Sequence, residues 1–185
     1  MTLKRIAATL VPLFIAVSGT ALAADAPRKA ATLSEALPVL HAVSEWAVDL
    51  SSMAATKAKS DLVKDFASEV ASANSARDSK LQELAKKHNI ELGPVDPKTE
   101  EGKSMLDRMK AEKEMLSSLE GDAFDKEYMT LVTNTQQSVV NVLESQKAVA
   151  KDPEVKKFLT EMTNTVQKRL KKAQDIMLKV YGDRV

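Results

Sequence analysis

The sequence predicts an all-α chain built as an antiparallel helical bundle. Three observations carry this expectation. Apolar residues recur at three- and four-residue spacing along four long stretches, and no segment alternates with the period of two that marks a strand. The composition is rich in helix formers, with five Gly and six Pro in 185 residues and 4% aromatic residues. The candidate helices are joined by short links, which suits antiparallel neighbours.

The chain opens with an address. Lys4 and Arg5 precede an apolar run from Ile6 to Val17, and Ala21-Leu22-Ala23 places small residues where a signal peptidase reads. That pattern predicts a cleaved secretory signal over residues 1–23, with Ala24 as the mature start. Thr9 and Pro12 interrupt the run, which falls short of the ~20 apolar residues a membrane span needs. A mature chain of 162 residues with 25 basic and 26 acidic side chains follows. That is enough chain for one domain. The expected location is the periplasm.

Residues 24–32 (ADAPRKAAT) read as a flexible lead, and residues 33–181 as the bundle domain. Ser34 is placed to cap a first helix. Its face holds Leu37, Leu40, Ser44, Ala47, Val48, Ser51, Ala55 and Ala58. Pro38 lies near the start, where a missing N–H matters least. A second helix begins at Ser60 or Asp61, carries Leu62, Phe66, Val70, Ala73, Leu81, Leu84 and Ala85, and stops around His88-Asn89. Two Pro and two Gly make residues 91–102 a loop. A third, shorter helix over 103–120 carries Met105, Met109, Leu116 and Leu119; Gly121 closes it and Asp122 caps the next. The fourth helix holds Phe124, Tyr128, Leu131, Thr135, Val139, Val142 and Val149. Asp152-Pro153 starts the fifth, by the preference for Pro at the first helical position.

Composition excludes several function classes. A formal charge of +1 leaves no footprint for nucleic acid. No Cys means no disulfide, thiol nucleophile or Cys-ligated metal. Ser and Thr are plentiful, but none pairs with a His in a recognisable catalytic motif. The carboxylates follow the charge pattern of ordinary exposed helices. No enzymatic activity and no cofactor are expected.

The runs LVKDFASEV, NSARDSKLQELAKKHNIELGP, LEGDAFDKEYM and KDPEVKKFLTEM resemble those of domain-of-unknown-function family 4142, secreted bacterial proteins that often carry an outer-membrane label. The resemblance covers most of 33–178. Its most specific piece is Leu119, Gly121, Phe124, Asp125 and Tyr128. It implies a ferritin-like four-helix bundle with an additional shorter helix. It also implies a metal-ligand set of one Glu and three His at positions that here hold Ala47, Asn74, Gln136 and Arg169. A methyl, two amides and a guanidinium suit a divalent cation poorly, so the resemblance implies a member without the family's metal ligands.

Arg169 falls on the stripe with Val166, Leu170 and Ala173, and Arg77 falls between Ala73 and Leu81. A buried cation needs a partner. One reading is an internal polar network of Arg77, Arg169, Asn74, Gln136 and Glu112; the other is that both Arg snorkel at the rim. Trp46 and Leu50 lie off the main stripe of the first helix, either as an exposed contact patch or packed under the N-terminal lead or the loop 89–102. His41 and His88 sit on different helices, without paired spacing for a haem or metal. Met105, Met109 and Met115 read as core filling rather than a copper site.

The leading expectation is a non-enzymatic periplasmic protein acting as an interaction or envelope-stress module, with a protein partner of unknown identity. The alternatives are a metal-binding or metal-storing ferritin-like protein, which would need ligands such as His41, His88 or the Met residues, and a periplasmic holdase chaperone.

Overall fold

A computed structural model describes residues 33–149 and 153–182. The signal segment, the lead and Asp152 lie outside the described residues. Among the described residues, five α-helices run in order: α1 (Leu33–Lys57), α2 (Asp61–Lys87), α3 (Glu100–Ser118), α4 (Gly121–Val149) and α5 (Pro153–Tyr181). Among the described residues there is no strand. No helix there is long and apolar enough to cross a membrane. The chain divides into two compact units: residues 37–131 with 176–185, and Val132–Asp175 with the first residues of α1.

The helix ends follow local chemistry. α2 stops at His88 in a Schellman arrangement: the Ile90 N–H donates to the Ala85 carbonyl and the Asn89 N–H to the Lys86 carbonyl. Asn89 takes φ 52°, a left-handed conformation that Asn tolerates better than most side chains. Pro153 is the first residue of α5, as its fixed φ favours.

Three boundaries differ from expectation. α1 begins at Leu33, so Ser34 lies inside it rather than capping it. α3 begins at Glu100, inside the expected loop, because the Thr99 hydroxyl accepts the Gly102 N–H and caps the helix there. Gly102 is therefore a helical residue, and a Cβ on it would run into the Asp96 carbonyl. α3 then ends at Ser118, with Leu119 as its C-cap. Gly121 opens α4 instead of closing α3, and Asp122 sits in the first turn rather than at the cap. Gly121 is at φ 59°, a conformation costly for any residue with a Cβ.

In the unit around 37–131 the core is built from Leu37, Leu50, Val63, Phe66, Leu116 and Phe124, all nearly inaccessible to water. In the Val132–Asp175 unit the buried residues among those described are Val139, Val140, Leu143, Thr163, Val166, Leu170 and Ala173. Their three- and four-residue spacing is that of helices with one covered face.

The exposed Trp46–Leu50 patch is corrected by the structure. Leu50 is 3% exposed and belongs to the core. Trp46 is half-buried, and its indole N–H donates to the Met109 carbonyl of α3 at 3.4 Å. The stripe of α1 is wider than the small-residue face alone, because α3 covers the flank on which this pair lies.

Candidate functional site

The residues most specific to the family resemblance build one corner. Asp125, on the second turn of α4, is fully buried. Its two carboxylate oxygens accept the backbone N–H groups of Lys59 (2.9 Å) and Ser60 (2.8 Å) in the turn between α1 and α2. Ser60 is the N-cap residue of α2, yet its own side chain makes no capping bond. The carboxylate from α4 thus satisfies donors in the turn and sets a negative charge at the positive end of α2.

One turn further along α4, the buried Tyr128 hydroxyl meets the Ser51 hydroxyl of α1 at 3.0 Å. Phe124 stacks with Tyr128 at 6.4 Å between ring centroids. Lys57, at the end of α1, donates to the Ser117 carbonyl at the end of α3. Its ammonium also lies 5.3 Å from the Phe124 ring centre. A cation at the last carbonyls of a helix complements its dipole. Lys59 pairs with Asp122 at 3.1 Å across the same corner. Each buried polar group named here ties one helix to another.

A second cluster lies along α1 and α2. His41 Nδ1 is 2.6 Å from Asp78 Oδ1, and Gln82 Nε2 donates to the other Asp78 oxygen at 2.7 Å. His41 Nε2 is 3.5 Å from Glu45 Oε2, one turn on along α1. Asp78 is buried, and the His41 side chain is 15% exposed. Reading the sequence for paired histidines missed this cluster, because its carboxylate comes from another helix 37 positions away. The spacing of His41 and Glu45 was the signal available.

Of the expected polar network, the structure brings together Arg77 and Asn74, both on α2. Arg77 Nη1 donates to Asn74 Oδ1 at 2.8 Å, and Asn74 Nδ2 donates to the Val70 carbonyl. Asn74 is thus engaged at both ends of its amide. Glu112 is half-buried on α3. Burial pushes its carboxyl above the usual glutamate range, and the nearby Arg108 guanidinium partly offsets this. Gln136 and Arg169 are half-buried in the Val132–Asp175 unit. Ala47 is half-buried on α1.

The other ligand candidates are dispersed. His88 caps the end of α2, and its Nε2 is buried without a hydrogen-bond partner. Met105 and Met109 are half-buried and Met115 is exposed, so the three thioethers do not share one environment. Among the described residues, no three or more His, Asp or Glu side chains group so as to hold a metal ion.

The chain is similar in fold to a DUF305 protein from Streptomyces coelicolor, described as a candidate secreted protein. That comparison has a TM-score of 0.58 and 14% identity, and covers 80% of this chain and 90% of the other. At that identity the likeness is one of fold. No curated protein matches the chain. Residues 18–176 match the sequence profile described as Domain of unknown function (DUF4142), and the chain belongs to that family.

Proposed function

We propose that this chain is a non-enzymatic helical module of the periplasm that works by binding a protein partner. The five described helices would follow a ferritin-like antiparallel four-helix plan with α3 as the additional shorter helix. One observation carries the reading. The family-specific residues Phe124, Asp125 and Tyr128 join helices at a buried corner. They serve as architecture, holding a scaffold whose outer faces are left for contact. Export is supported by the signal pattern of residues 1–23 and by the description of the DUF305 neighbour.

The metal-storing alternative has less support. The positions at which the family resemblance implies ligands carry Ala47, Asn74, Gln136 and Arg169, and the Asn74 amide is engaged on its own helix. The experiment is expression of the full chain, fractionation, N-terminal sequencing and elemental analysis of the isolated protein. The expected result is a periplasmic protein starting at Ala24, without stoichiometric iron or manganese. Photo-crosslinkers on the exposed face of α3, at Lys110 or Glu114, should then give a discrete adduct. Retention of about one or two equivalents of iron or manganese would overturn the reading, since a committed site keeps its ion through purification.

A further inference from the structure

We propose that His41 and Glu45 form a surface site for one divalent, late first-row transition-metal ion of the zinc type, held in orientation by Asp78. The inference does not depend on the export reading, and it uses none of the positions discussed for the family ligand set.

The argument starts with the proton on His41. At 2.6 Å, Nδ1 and Asp78 Oδ1 must share a hydrogen, and a carboxylate oxygen accepts, so Nδ1 carries the N–H. Asp78 is fixed in this role by the Gln82 amide on its other oxygen. In the neutral ring that placement leaves the Nε2 lone pair facing outward. The atom facing it is Glu45 Oε2, another acceptor, 3.5 Å away. A proton on Nε2 or a metal ion between the two atoms satisfies this pair, and a metal ion that binds there displaces the proton.

The separation selects the kind of cation. It is longer than the ~2.7–3.2 Å of a normal N–H···O bond. In a tetrahedral zinc site, Zn–N near 2.0–2.1 Å and Zn–O near 2.0–2.2 Å put the two ligand atoms about 3.3–3.5 Å apart. The observed distance therefore fits the edge of such a tetrahedron. A carboxylate on the far ring nitrogen is the usual outer support of a metal-bound histidine, fixing tautomer and ring angle. Imidazole with one carboxylate suits zinc or copper, whereas magnesium and calcium prefer all-oxygen sites. Glu45 is 64% exposed and His41 is 15% exposed, so the ion is reached from solvent. Water would complete its coordination.

The test exploits the chain's two histidines. The full chain, labelled with 15N, is titrated with zinc chloride while the imidazole nitrogens are followed by NMR. The expected result is a saturable shift of the His41 signals, with His88, whose Nε2 is buried, unmoved. Magnesium chloride should shift neither. Glu45→Gln, at an exposed position that leaves the fold intact, should weaken zinc by about tenfold or more. Asp78→Asn should weaken it by about 10–100-fold, as outer-support changes do. Zinc that leaves His41 unshifted, or that binds the Glu45→Gln protein as tightly as the parent, would overturn the proposal.

Discussion

Asp125 holds Ser60: a carboxylate on α4 accepts the Ser60 backbone N–H at 2.8 Å, and with its other oxygen the Lys59 N–H at 2.9 Å. The bond spans 65 positions of sequence and closes the α1–α2 turn onto α4. Asp125→Ala should therefore destabilise the protein by about 2–4 kcal/mol, because two backbone donors lose a charged acceptor in a dry environment. Urea denaturation measures this. A cost below about 0.5 kcal/mol, typical of surface changes, would mean that water replaces the carboxylate.

Tyr128→Phe keeps the ring stack on Phe124 and removes the hydroxyl bonded to Ser51. The expected loss is about 1–2 kcal/mol, since the buried Ser51 hydroxyl is left with one bond fewer. Combining it with Ser51→Ala should cost less than the two changes summed, by about 0.5–1 kcal/mol, as contacting residues do. Strict additivity in the double-mutant cycle would show that the two hydroxyls are energetically independent.

Leu50 separates core from contact patch. With 3% of its surface exposed, Leu50→Ala should cost about 2–4 kcal/mol through lost burial and a residual cavity. Leu178, 70% exposed, is the matched control. Leu178→Ala should change stability by less than about 0.5 kcal/mol. Equal effects at the two sites would contradict the burial described.

Glu112 predicts a pH dependence with a definite sign. Its folded carboxyl titrates above the unfolded value because burial disfavours the charge. The folded state thus binds the proton more tightly, and this group's contribution to stability is greatest below the unfolded value. It is lost as pH rises through the raised value. Glu112→Gln should accordingly raise thermal stability at neutral pH. The gain over the parent should shrink as pH falls through the glutamate range. A gain that persists unchanged at acid pH would point to packing instead.

Much of this protein was legible in its sequence for one physical reason. Helical periodicity and helix-end chemistry are local, and five helices with ends such as the Asn89 turn and Pro153 are encoded within a few residues of where they occur. Membership of the family was legible too, because the run from Leu119 to Tyr128 that carries the resemblance is contiguous in sequence. What those residues do was not. Asp125 caps a turn 65 positions away, and His41 finds Asp78 37 positions away. Neither pairing leaves a periodic trace. Leu50 illustrates the same limit: its place on α1 follows from the sequence, but its burial depends on which neighbour covers that flank. The sequence by itself determined the helices and the family, and some of the helix ends. Tertiary packing alone decided which polar groups are buried and which partners satisfy them, because desolvation is a property of the assembled neighbours and not of the chain that supplies them.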